Sequence, residues 1–212
     1  MKTPTLEKKI KIILPILIIL LSFSCKGDKQ KTEELSDELT EKTENELTAT
    51  SSGLNEEKVY DDIIQGFIDC KSNATERSHC RNGITKIISE RYNLSEFKNS
   101  EGEYVIYDSI QPIIKRSEQW QNIGLATKQK NLNKALEHTN NGGLSLIIDT
   151  ANSYGHVVML VPSEAVVSGS WGLKLPNVIS LLNSQADKSF NDKPLSFAFK
   201  KSDDLHVFIK EK

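Results

Sequence analysis

Cys80 and His156 are the two residues whose types and surroundings could support nucleophilic chemistry. Cys80 lies in the first turn of a predicted helix, where the helix dipole favours the thiolate, the nucleophilic form of cysteine. His156 follows Gly155 at the start of a predicted strand, and a nearby imidazole could accept the thiol proton. Such a pair would suit attack on an amide carbonyl, with the backbone N–H of Cys80 holding the oxyanion.

Two other roles for these cysteines stay open at this point. A cysteine is often a small buried apolar residue with no chemical role. Cys70 and Cys80 are also close in the sequence, and an exported protein meets oxidising conditions in which two such residues form a disulfide. The residues alone therefore allow a catalytic thiol, a disulfide or two inert thiols.

The elements that must position these residues follow from apolar periodicity and turn signals. The fold class that we predict is α+β, with N-terminal helices packed on an antiparallel β-sheet. Residues 98–125 are expected to be irregular, with a strand at 104–107 and with Trp120 as an apolar anchor. Residues 176–182 are expected to be a short helix or irregular. Helices are predicted over 60–71, 79–92 and 128–138, strands over 144–148, 156–161 and 166–171, and a terminal hairpin over 195–199 and 205–209.

The N-terminus has the order of an export signal. A basic stretch at 8–11 precedes an apolar run over 12–21, which is shorter than the roughly 20 residues that span a bilayer. The run ends in small residues before Cys25, an arrangement that resembles the lipobox of bacterial lipoproteins. The resemblance implies that Cys25 is lipidated and becomes the mature N-terminus.

Charge and composition divide the chain into three parts. Residues 1–24 carry a net charge of +3, residues 25–59 carry −5, and residues 60–212 are neutral overall. The acidic part contains no aromatic residue and is predicted to be a disordered spacer. We therefore predict a signal peptide at 1–24, a lipidated cysteine and spacer at 25–59, and one domain at 60–212. The overall net charge of −2 shows no basic excess that would indicate nucleic-acid binding.

The order of several short segments resembles the NlpC/P60-type, papain-like cysteine peptidases and amidases of bacterial cell walls. The resemblance implies that Cys80 is the nucleophile, that His156 is the base, and that a polar residue on the next strand orients His156. Ser168 and Ser170 share one face of the predicted third strand, and we assign that role to Ser168. The segments are CRNGI at 80–84, WQNIG at 120–124, NNGGL at 140–144, GHVVMLVP at 155–162 and SGSWG at 168–172.

Together these features predict a lipid-anchored hydrolase of the bacterial cell envelope that cleaves amide bonds in peptidoglycan stem peptides. It would be a monomer, held on the periplasmic or surface side of the outer membrane, without a cofactor. Four scattered histidines without spaced carboxylates predict no metal site. The alternative is a non-catalytic lipoprotein that binds wall fragments or a protein partner, with a disulfide between Cys70 and Cys80.

Overall fold

The structure is a computed structural model that describes residues 58–73, 77–152 and 155–211, with the backbone alone at 77–79. Cys25, the predicted signal peptide and nearly all of the predicted spacer lie outside these residues. The described residues all belong to one compact unit. Its helices are α1 (58–73), α2 (Gly83–Tyr92), α3 (Ile110–Arg116) and α4 (Gln129–Asn140), and its strands are β1 (Trp120–Leu125), β2 (Ser145–Asp149), β3 (Val157–Leu160), β4 (Val166–Ser168), β5 (Leu173–Leu175), β6 (Asn177–Ser180), β7 (Phe190–Pro194) and β8 (Leu205–Lys210).

Six of these strands form one antiparallel sheet in the order β1-β8-β2-β3-β6-β7. Strands β4 and β5 form a separate two-stranded sheet. Short 3-10 helices connect several elements, and one of them, Arg77–Asn82, leads directly into α2. The mixed architecture confirms the α+β prediction.

Two apolar cores lie on opposite faces of the large sheet. The first core contains residues of α1, α2 and α3, and the second contains residues of α4 and β5. Side chains alternate between the two faces along a strand, so Val157 and Met159 of β3 lie in the first core while Val158 and Leu160 lie in the second. Because both faces are covered, the central strands read as continuous apolar runs in the sequence.

Helical periodicity identified three of the four helices. The helix predicted over 60–71 corresponds to α1, and the helix predicted over 128–138 corresponds to α4. In α4 the buried side chains recur at helical spacing, so one side of the helix lies on the sheet. These buried residues are Leu132, Ala135, Leu136 and Thr139. The helix predicted over 79–92 is divided, because α2 begins only at Gly83 and the preceding residues form the 3-10 helix.

Several strand predictions were wrong. Segment 195–199 does not pair with 205–209; instead 195–197 is a 3-10 helix, and β8 lies inside the sheet between β1 and β2. Segment 176–182 contains β6 rather than a helix. Strand β1 and helix α3 fall in the stretch expected to be irregular, and 104–107 makes only an isolated bridge through Tyr104. The predicted hairpin of β2 and β3 is present.

Candidate functional site

Cys80 was predicted in the first turn of an α-helix. It lies instead in the 3-10 helix that directly precedes α2. It is 4% exposed and belongs to the first core. Its sulfur is bonded to that of Cys70 in α1, with an S–S distance of 2.04 Å and a Cα–Cα distance of 5.7 Å. The structure therefore contains the disulfide alternative, and in this state Cys80 has no thiol to act as a nucleophile.

His156 is half-buried immediately before β3. Its Nε2 lies 2.8 Å from Ser180 Oγ in β6, and its ring meets the Phe199 ring edge-on at a centroid distance of 5.2 Å. Burial lowers the pKa of His156 to about 4, and the charge of Asp149 opposes that shift only in part. The imidazole is therefore neutral near pH 7.

The ring of His156 makes these contacts on the second-core face of the sheet. His156 is two residues before Val158, and Ser180 lies directly opposite Val158 in the β3–β6 ladder. Val158 belongs to the second core, and Phe199 packs against that core. Cys80 packs in the first core, beyond the other face. The His156 ring and the Cys80 sulfur thus lie towards different cores, although His156 also lines a cavity with the first-core residues Ile84 and Leu181.

A small cavity at the start of β3 is bordered by residues of the 3-10 helix and of β3. His156 and Arg81 both line this cavity, whereas Cys80 lines a separate groove with Cys70. The cavity measures about 10 Å³, which is about the space that one water molecule occupies. Arg81 also forms an ion pair with Asp108 and lies 4.9 Å from the Tyr107 ring centroid. These contacts hold the Arg81 side chain in place beside the cavity.

The structure also corrects the residue expected to orient His156. Ser168 ends β4 in the small sheet, and its Oγ lies 3.2 Å from Ser170 Oγ. The strand next to β3 is β6, and the hydroxyl that contacts the imidazole is that of Ser180. A strand prediction for 176–182, supported by the β-branched Val178 and Ile179, would have placed Ser180 on one face of a strand and made it a candidate.

A groove of about 520 Å³ runs between α1 and α2 beside the disulfide. Apolar side chains of α1 that line it include Val59, Ile63 and Phe67, and Lys86 and Glu90 of α2 line it as well. The volume lies within the range of about 300–1,000 Å³ that is usual for ligand sites. The bridge between the two cysteines, one of the alternatives that the sequence left open, lines this groove.

No protein-family model matches the chain, and no curated protein matches it. None of the described helices is both long enough and apolar enough to cross a membrane. Within the same residues, no group of three or more His, Cys, Asp or Glu side chains is arranged to hold a metal ion. The features that bear on function are the bridge, the groove and the half-buried His156.

Proposed function

We propose that this protein is a lipid-anchored component of the bacterial cell envelope whose α+β domain binds a wall peptide without cleaving it. The observation that carries the proposal is the placement of the two supposed catalytic residues. Cys80 is bonded to Cys70, and the His156 ring contacts Ser180 on the other face of the sheet. A nucleophile and its base need to lie within hydrogen-bond reach of each other, in loose geometry at least.

The groove between α1 and α2 is the binding site in this proposal. Peptidoglycan stem peptides are short, carry small apolar side chains, and have free ammonium and carboxylate groups. The groove offers apolar surface at Ile63 and Phe67 and charges of both signs at Asp62, Lys86 and Glu90. A peptide of mixed charge therefore finds partners of opposite sign on both walls.

The charged side chains of the groove are available for exchange with a ligand. Asp62 pairs with Lys58 at 2.9 Å, and both side chains are more than two-thirds exposed. Lys86 lies 4.0 Å from Glu90, and this pair is also exposed. Exposed ion pairs contribute about 0–1 kcal/mol, so a charged ligand can replace one partner at little cost.

Gly66 provides a direct test of the groove. This residue lies in α1 on the groove wall, and a Cβ added to it would meet nothing within 4 Å. Gly66→Phe should therefore fill the groove without disturbing the core. Gly169→Phe is the matched control, because Gly169 also has open space around its Cβ position and lies in the turn after β4.

The measurement is calorimetric titration of the oxidised protein with a synthetic stem tetrapeptide, followed by mass spectrometry of the peptide. We expect Gly66→Phe to weaken binding by at least about tenfold, or 1.4 kcal/mol, while Gly169→Phe binds like the parent. The peptide should be recovered intact. Cleavage of the peptide by the oxidised parent, or equal affinity in both variants, would contradict the proposal.

Hydrolysis is a second candidate because α2, the helix that follows Cys80, packs on β3, the strand that follows His156. It requires that the bridge be reduced and that Cys80 and His156 approach each other on the same side of the sheet. Cleavage of wall peptides that begins only after reduction, and that is lost in both Cys80→Ser and His156→Ala, would favour this candidate.

A further inference from the structure

The disulfide joins the two walls of the groove. One wall belongs to α1 and includes Cys70, and the other belongs to the 3-10 helix and α2 and includes Cys80. Both cysteines line the groove, so a molecule that enters it reaches the bridge. The width of the groove at this end is therefore set by a covalent bond that a thiol can break.

The two cysteines differ in exposure, and an incoming thiolate reaches the more exposed residue more easily. Cys80 is 4% exposed and is packed in the first core, whereas Cys70 is only partly buried. Thiol–disulfide exchange begins when a thiolate attacks one sulfur and the other leaves. Exposure therefore directs attack to Cys70 and makes Cys80 the leaving group.

The surroundings of Cys80 suit a leaving thiolate. Cys80 precedes α2, a helix of ten residues, so its sulfur lies towards the positive end of the helix dipole. The charges that line the groove do not add to this effect, because Lys86 is paired with Glu90 at 4.0 Å and Asp62 lines the same groove. A leaving sulfur whose thiolate is stabilised departs faster, which reinforces the direction that exposure sets.

We propose that the bridge between Cys70 and Cys80 is a reduction site, entered through the groove, at which a dithiol reductant controls ligand binding. The first thiolate of the dithiol bonds to Cys70 Sγ, and the Cys70–Cys80 bond breaks with its electron pair on Cys80, which then takes a proton. The second thiolate attacks the reductant sulfur of the mixed disulfide and releases Cys70, which is protonated in turn. Two electrons and two protons pass to the protein, and the dithiol becomes a disulfide.

Reduction removes the covalent link between the groove walls but leaves α1 packed through Ile64 and Phe67 in the first core. The α1 wall can then shift relative to α2, and the oxidised groove loses its preset width. Coupling between a switch and a binding site is usually 5–150-fold in affinity. We expect roughly a tenfold weaker stem-peptide affinity in the reduced protein; the control of ligand binding, unlike the site of reduction, rests on the proposed function.

The first experiment maps the attack without any wall ligand. The folded full-length protein is treated with reduced glutathione, quenched in acid, and its mixed disulfides are located by peptide mass mapping. We expect glutathione mainly on Cys70, and we expect Gly66→Phe, which fills the groove, to slow the reaction where Gly169→Phe does not. Modification mainly on Cys80, or reaction only after denaturant unfolds the chain, would overturn the proposal.

The second experiment titrates the peptide into oxidised and dithiothreitol-reduced protein, with a Cys70→Ala/Cys80→Ala variant as the permanently open form. Weaker binding by the reduced protein and by the double variant supports the switch, and unchanged binding by both refutes it. If the peptide binds neither form while glutathione still attacks Cys70, the proposed function fails and the reduction site stands. Circular dichroism of the reduced protein shows that any loss of binding is not loss of the fold.

Discussion

Breaking the bridge between Cys70 and Cys80 should destabilise the domain. The size of the effect depends on the length of the loop that the bridge closes. The two residues are ten apart in the sequence. In the chain-entropy treatment, closing a loop of this size removes entropy from the unfolded chain equivalent to about 3 kcal/mol at 25 °C. Cys70→Ala should therefore lower the free energy of unfolding by about 3 kcal/mol.

Cys80→Ala should cost somewhat more than Cys70→Ala. Cys80 is 4% exposed in the first core, so removing its sulfur also leaves a small void worth about 1 kcal/mol. The double variant should cost no more than Cys80→Ala, because either single change already removes the whole bridge. The double variant should thus fall short of the sum of the single variants by about 3 kcal/mol.

Urea unfolding of the oxidised parent, the single variants and the double variant measures these differences. For a domain of this size, 3 kcal/mol corresponds to a fall in Tm of about 6–12 °C. The parent kept in dithiothreitol should unfold close to the Cys70→Ala variant. The reasoning would be refuted by strictly additive single and double variants, or by two thiols at Cys70 and Cys80 that react freely in the native, non-reduced parent.

Three further predictions concern the anchor, the β2–β3 turn and the buried histidine. Cys25→Ser should abolish lipid labelling and release the domain into the soluble fraction; membrane retention of that variant would refute the lipobox interpretation. A Cβ at Gly155 would lie 1.6 Å from the backbone oxygen of Asp149, so Gly155→Ala should cost about 1–3 kcal/mol in urea unfolding, and a neutral effect would be inconsistent with this turn. The pKa of His156 is lowered from 6.5 to about 4, so between these values the unfolded chain binds more protons than the folded one. Stability should be full above pH 6.5 and fall by up to about 3 kcal/mol towards pH 4, and a parent whose acid-side slope equals that of His156→Gln would disprove this.

Much of the helical part of the domain is readable from the sequence because helix formation is largely local. In α2 the apolar residues recur at a spacing of three and four, and Ile84, Ile87 and Ile88 are all buried on one side. The turn between β2 and β3 is also local, since two apolar runs flank a short polar segment. By contrast, β1 and α3 were missed because their side chains are mixed in character and their place is set by distant partners such as β8.

The candidate site depends on which strands are neighbours in the sheet, and local sequence patterns do not contain that information. Alternation places Ser180 on one face of β6, but it does not say that β6 rather than β4 lies beside β3. In the same way, the sequence contains two cysteines that could form a bridge, and only the close approach of α1 and the 3-10 helix, with a Cα–Cα distance of 5.7 Å, decides that they do.

The sequence by itself therefore determined three of the four described helices and the β2–β3 hairpin, because periodicity and turn residues act over a few positions. Tertiary structure alone decided the strand order, the central place of β8 and the faces on which Cys80 and His156 lie. The alternation of side chains along a strand does not say which helix covers which face. The packing of the whole chain decides that. That choice directs the His156 ring and the Cys80 sulfur towards different cores and leaves Cys80 bonded to Cys70 beside the groove.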